Sequence, residues 1–387
     1  MPKHAYDYNY SAYEYNRYER VQNYGNVYQY RDYKRLKTKA KRKKNPLKKI
    51  LSKIVAIALL MLFMPYGFNC ITKSLFAPSP YKNIKIDIKE YAYPTTKYLS
   101  NAWFMGDRSF RYQADTKHAK MRPLKESVNM PSLKQDLLNL MEDYPQVKPA
   151  IYFWDFDTHN YVDINASKIY STASIIKLPV LIDLFKEIEN GSISLDDNMA
   201  LTEYYRTEGS GNLQFKAENS VWSVDKLAEV MITESDNSAT NMLISILGGM
   251  HGVNQSIRDW GIKNTELQTW LPDYKGTNHS TAKELAQMLY NIETNDKFLT
   301  DYSRKKIHNY MGHVHNNRLI QAGIGKGSKF YHKTGDIGKM LGDAGIVITP
   351  NGKKYIVVIL ANRPHNSIAG KEFIVKASEI IYNYVVK

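Results

Sequence analysis

The chain has 387 residues, enough for one large domain or two smaller ones, and a formal net charge of +15. Fifteen Lys and Arg stand against four acids in residues 1–53, so only +4 of that charge belongs to everything downstream. A nucleic-acid-binding fold, which needs its basic surface on the folded part, is therefore not expected. The single cysteine, Cys70, excludes an intrachain disulfide, and the fold must rest on a packed core.

Residues 1–33 carry ten tyrosines, interleaved with Asn, Gln, Arg and Glu and almost no aliphatic side chains. Such a stretch cannot bury a core and reads as a disordered tail. A basic run follows, Lys34 to Lys49, and abuts an uncharged apolar segment, Ile54–Ile71. That length just spans a bilayer. Positive charge before it and little after it predicts a single-pass protein with residues 1–53 in the cytoplasm and everything after Ile71 outside. More than fifty residues precede the apolar stretch, which argues against a cleaved signal peptide. Gly67-Phe68-Asn69 lacks the small residues expected before a lipidated Cys70. Residues 72–131, proline-punctuated and lysine-rich, read as a juxtamembrane stalk, with Ile84–Ile88 as an isolated strand.

From about Ser132 the pattern becomes globular. Leu133, Leu137, Leu140 and Met141 recur at helical spacing. Residues 150–156 predict a strand, 157–160 a turn, and 161–164 the returning strand of a hairpin. Ser174 is expected to open a helix that runs to Glu189 and stops at Asn190-Gly191. A mostly helical stretch extends to about Tyr310. Three strands are predicted over 327–333, 344–349 and 355–361, with Asn351-Gly352 turning between the last two. A final helix covers about 369–385. Two strands early, three late and helices between them predict an α+β domain. Both ends of residues 132–387 complete one antiparallel sheet, with a helical lobe inserted and the active site in the cleft between them.

Three motifs occupy this frame in order: Ser174-Ile175-Ile176-Lys177, Ser235-Asp236-Asn237 and Lys333-Thr334-Gly335. Each is common alone, as a helix cap, a turn or the end of a strand. Together they point to serine acyl transfer. On a helix Lys177 lies one turn from Ser174, and a serine is a poor nucleophile until a base takes its proton. Lysine can serve once a desolvated, cation-rich pocket lowers its pKa.

With flanks Ala173, Leu178-Pro179, Glu234, Ser238-Ala239-Thr240-Asn241 and His332, residues 132–387 resemble a class A β-lactamase, within the wider family of penicillin-recognising serine enzymes. The resemblance implies that Ser174 attacks the lactam or peptide carbonyl and that Lys177 helps take its proton. Ser235 would relay a proton to the leaving nitrogen. Asn237 would hold the substrate's side-chain amide, and Lys333 and Thr334 its carboxylate, with Gly335 completing the motif. The backbone N–H groups of Ser174 and Asp336 would form the oxyanion hole. No cofactor or metal is implied, and His313-Val314-His315 lacks a clear third ligand. The expected ligand is a β-lactam or a peptidoglycan stem peptide, bound by a monomeric domain.

Class A β-lactamases carry a Trp-Glu-Pro-Glu-Leu-Asn type loop whose first glutamate activates the deacylating water. Here the stretch reads Trp270-Leu271-Pro272-Asp273, with Leu271 at that glutamate's place. Asp273 and Glu266 remain as acids that a rebuilt loop would bring in. The expectation is a membrane-anchored serine enzyme that acylates but deacylates slowly. The alternatives are a penicillin-binding D,D-peptidase or a non-hydrolytic β-lactam or peptidoglycan sensor.

Overall fold

The computed structural model describes residues 120–387. These belong to the second of two units into which the chain divides, Tyr93–Lys387. The Tyr-rich tail, the apolar segment 54–71, Cys70, the strand expected at 84–88 and most of the stalk lie outside the described residues. Among the described residues no helix is long and apolar enough to cross a membrane.

The centre of the domain is a five-stranded antiparallel sheet. Its members are β1 (Lys148–Asp155), β2 (Tyr161–Ile164), β7 (Lys329–Ile337), β8 (Met340–Ile348) and β9 (Lys354–Asn362), in the order β2-β1-β9-β8-β7. Strand β1 reads KPAIYFWD without polar alternation because both its faces are covered. Ile151 and Phe153 pack with Val357 and Ile359 under helices α1 (Pro131–Asp143) and α9 (Ala369–Val386). Ala150, Tyr152 and Trp154 face the helical lobe together with Ile356 and Val358. The expected hairpins are present, and β7 and β8 are longer than expected. A two-residue turn at Gly338-Lys339 joins them, with Ile337 opposite Met340. The polar run Lys333–Asp336 hid that continuation, because its side chains serve the site rather than the core.

The lobe is built on α2 (Lys177–Glu189), whose first eleven residues are all buried. A helix buried nearly all round is a central one, even with Lys177, Asp183, Lys186 and Glu187 among its buried residues. Around it stand α3 (Val224–Thr233), α4 (Asn237–Ile246), α5 (Gly249–Asp259), α6 (Ala282–Thr294) and α7 (Asp301–Met311), and the single turn α8 (Ile320–Gly323) leads back to the sheet. Three short strands interrupt this stretch, contrary to the helical expectation. β4 (Asn198–Ala200) pairs with β5 (Val221–Ser223), and β6 (His279–Thr281) pairs with β3 (Ile169–Ser171). At three residues each, they are too short to show a period of two.

Residues 120–130, which the sequence places at the end of the stalk, lie along the domain. Met121 is buried and its N–H donates to the Trp260 carbonyl at 3.1 Å. The Arg122 guanidinium donates to Asn295 Oδ1 at 2.7 Å, and Trp154 Nε1 donates to the Lys125 carbonyl at 2.9 Å.

Candidate active site

Ser174 does not open the α-helix. It sits in a 3₁₀ turn, Ala173–Ile176, and Lys177 is the first residue of α2. The turn rests directly on the sheet at Gly335 and Gly342, which face each other across β7 and β8. A Cβ on Gly335 would meet the Thr172 carbonyl oxygen at 2.4 Å, and one on Gly342 would meet Ile175 Cδ1 at 3.1 Å. The motif glycine thus removes the side chain that would lift the Ser174 turn off the strand. Ala173 and Ser235 both hold positive φ, +44° and +58°. Such backbone costs on the order of 1–3 kcal/mol each and persists where surrounding structure fixes it.

A cleft of about 290 Å³ opens here. Ser174, Ser235, Lys333, Thr334 and Asp336 line it, together with Ser210-Gly211-Asn212, Thr233-Glu234 and Val314-His315-Asn316. All three motifs therefore converge. Tyr204 is exposed and Tyr205 buried, and neither lines the cleft, whereas the Ser210–Asn212 turn does.

The Ser235 hydroxyl stands between two lysines. Lys177 Nζ and Lys333 Nζ each lie 3.1 Å from Ser235 Oγ, and both lysines are fully buried. Lys177 Nζ also reaches the Ser235 carbonyl at 2.5 Å and Asn237 Oδ1 at 2.8 Å. It makes no hydrogen bond to Ser174, the partner expected from spacing. Burial, reinforced by the neighbouring Lys333 charge, pushes the Lys177 amine well below the usual lysine range, against the pull of Asp236. Burial likewise lowers Lys333 to about 7, with Asp343 opposing it. A neutral Lys177 matches its surroundings. Two carbonyl-type oxygens that can only accept take its two hydrogens, and its lone pair is left for the one group that can donate, the Ser235 hydroxyl. That hydroxyl in turn accepts from Lys333, which also donates to the Thr334 carbonyl at 2.9 Å.

Asn237 is buried, and its amide nitrogen donates to the Glu208 carbonyl at 3.1 Å. Both ends of its side chain are engaged, so a substrate amide would have to displace the Glu208 contact. Asp236 caps α4 by accepting from the Ala239 N–H at 2.8 Å. Its other oxygen accepts from the Leu213 N–H at 2.8 Å, which fixes the 207–213 loop against the motif. Gly211, at φ +94°, passes so close that a Cβ would collide with Asp236. His332 is buried against Asp343, with Nδ1 2.8 Å from Oδ1, and stacks on Phe330 at 4.2 Å. Asp336 pairs with Arg363 at 2.5 Å at the cleft mouth.

The loop carrying Leu271 is tied down from several sides. Asn241 Nδ2 donates to the Leu271 carbonyl at 2.7 Å, and the Leu271 N–H donates back to Asn241 Oδ1 at 3.0 Å. The Leu271–Pro272 bond is cis, and the Leu271 side chain joins the core of the helical lobe. Asp273 is buried and accepts from the Asn278 N–H at 2.6 Å and Thr277 Oγ1 at 3.1 Å. Glu266 accepts from Gln268 Nε2 at 3.0 Å and pairs with His279. Neither carboxylate lines the cleft. His315 lines it and His313 does not. Among the described residues no group of three His, Cys, Asp or Glu is placed to hold a metal.

The cleft wall contributed by Val314–Asn316 had no sequence signal, since those residues follow α7 in an irregular loop. Glu234 sits inside a motif, and its position next to Ser235 was the signal that could have found it.

Comparison with known proteins agrees with this geometry. Residues 132–385 match the profile of the β-lactamase enzyme family. The chain belongs to that family. β-Lactamase ROB-1 of Haemophilus influenzae is 26% identical over 62% of this chain and 80% of its own length. Extended-spectrum β-lactamase PER-1 of Pseudomonas aeruginosa is 22% identical over 67% and 90%. Among solved structures, a leucine-to-glutamate variant of PBP-A in an acyl-enzyme complex with penicillin G is 34% identical. It covers 68% of this chain and 98% of its own, with a TM-score of 0.65. An ancestral class A β-lactamase, 20% identical with a TM-score of 0.61, shares the fold. The family member described here is a β-lactamase-like serine hydrolase with an α+β domain.

Proposed function

We propose that this family member forms an acyl-enzyme at Ser174 with β-lactams or with D-Ala-D-Ala-type cell-wall peptides, and that it releases the acyl group slowly. One observation carries the acylation half: the Ser235 hydroxyl held at 3.1 Å from each of two buried lysines of lowered pKa. Lys177, neutral, takes the Ser174 proton directly or through Ser235. Ser235 passes a proton to the leaving nitrogen. Lys333 and Thr334 receive the substrate carboxylate. The N–H groups of Ser174 and Asp336, both on the cleft, stabilise the developing oxyanion. The deacylation half rests on Leu271, which cannot accept a proton, and on Asp273 and Glu266, whose carboxylates are spent on loop contacts.

A fluorescent penicillin labels the protein under this reading, and intact mass shows one adduct per chain. Ser174→Ala abolishes the adduct, and persistent covalent labelling of that variant sinks the assignment. The sequence also supports a proposal about place: the domain stands outside the cell, anchored by residues 54–71. Protease added to intact cells then digests the domain and spares the Tyr-rich segment, and a protected domain refutes it.

A further inference from the structure

The cleft is lined by two acids, Glu234 and Asp336, and their surroundings differ. Asp336 is neutralised by Arg363, which is itself buried and pinned to the Gly338 and Ser367 carbonyls. Glu234 ends α3, with its backbone N–H on the Val230 carbonyl. Its Oε2 accepts from Asn212 Nδ2 at 2.9 Å. Among the described residues no Lys, Arg or His forms an ion pair with it. The Lys333 ammonium is directed at Ser235 Oγ and the Thr334 carbonyl instead. The helical-lobe wall thus presents an uncompensated negative charge, half-buried, next to the proton-relay serine. The opposite wall presents Lys333 and Thr334.

We propose that the cleft selects zwitterionic acyl donors. A carboxylate would be taken at Lys333–Thr334, and an ammonium at Glu234, with Ser210, Gly211 and Asn212 forming the floor beneath it. A charge-assisted pair in a partly desolvated cleft outweighs one on open surface. It also rejects ligands that bring a second negative charge to that wall. This inference rests on the acyl-enzyme reading for its natural context, but it makes a separate claim about charge.

The test compares acylation of the full-length protein by benzylpenicillin and by ampicillin, which adds one ammonium to the same side chain, at mildly acidic pH. Glu234→Gln keeps an oxygen for Asn212 and removes only the charge. The expected result is an ampicillin-to-benzylpenicillin rate ratio about 3- to 10-fold higher in the native protein than in Glu234→Gln. The benzylpenicillin rate itself is expected to stay nearly constant. An unchanged ratio overturns the proposal, and equal slowing with both penicillins assigns Glu234 to loop support alone. If neither penicillin acylates, the acyl-enzyme reading fails, and the charge claim is read by binding instead. Calorimetry on Ser174→Ala would then compare a Lys-D-Ala-D-Ala peptide with free amines against its fully N-acetylated form. Free amines are expected to tighten binding by a similar factor, and the difference should vanish when Glu234→Gln is added. No difference between the two peptides on Ser174→Ala overturns the proposal.

Discussion

An amine buried without a carboxylate partner gives up its proton readily, and Lys177 is such an amine. Its contacts suit a base: two fixed acceptors hold its hydrogens and leave the lone pair toward Ser235. Lys333 is lowered by burial alone, with Asp343 opposing it, and its pKa of about 7 lets it carry charge at neutral pH. The two lysines therefore fail differently when replaced. Lys177→Met lowers the acylation rate for every substrate, by about 10²–10⁴-fold. Lys333→Met weakens recognition mainly of substrates that bear a carboxylate, and equal loss on a penicillin and its ester contradicts the split. The same pKa sets a pH dependence. As pH rises through about 7, Lys333 loses its proton, and acylation by carboxylate-bearing substrates falls by up to about tenfold per unit, while acylation by an ester does not. Stopped-flow acylation rates across that range check it. These residues were legible because the three motifs name side chains that chemistry requires. The Lys177–Ser235 contact was not, since helix spacing alone pointed the amine at Ser174. Only the positive φ of Ser235 and the arrival of α4 bring the second motif closer.

The strand β7 and the loop around Leu271 show what a motif does beyond its chemistry. The five sheet strands were readable from apolar runs, because both faces of the sheet are covered. Polar residues ended the predicted strand at Lys333, whereas β7 runs on to Ile337. The 264–279 loop was read only for what it lacks. Its order comes from Asn241, Asp273 and Asn278, residue types that sequence reading assigns to turns in general. Because Asn241 holds the Leu271 backbone on both sides, a new side chain at this position inherits a fixed origin. Leu271→Glu is expected to raise steady turnover of a chromogenic cephalosporin more than it raises the acylation burst. The variant also loses about 1–3 kcal/mol of stability, because the leucine side chain is part of the lobe core. A native protein that turns over linearly and fast, without a burst near one equivalent, means that another group supplies the base.

At the scale of the molecule, the two buried lysines oppose folding. Lys333 titrates near 7 in the folded state and near 10.5 when exposed. Between those values the unfolded chain binds more protons, so stability rises with pH, and the penalty is fully present below 7. Lys333→Met is therefore expected to stabilise the fold by about 1–4 kcal/mol at low pH. That gain should fade as pH approaches 10. Urea unfolding at about pH 6 and about pH 9 checks both sign and trend, and a variant less stable at both values contradicts it. The helical lobe and the sheet share this cost, since α2 and β7 each bring one buried amine to the Ser235 hydroxyl.

Strand β1 leaves the ribosome long before its neighbour. Its partner β9 follows about two hundred residues later, roughly 10–40 s of synthesis at ordinary elongation rates. During that interval the hairpin of β1 and β2 exposes an apolar edge that spans Ala150 to Trp154. The helical lobe, rich in local contacts, can form first and cover one face of the hairpin, but α1 covers only part of the other, which α9 completes. Loss of the final forty or so residues therefore leaves α1 as the only helix on that face and removes β9, the strand between β1 and β8. A stop codon in that stretch produces a chain that holds every motif residue of the cleft yet is marked for aggregation or proteolysis.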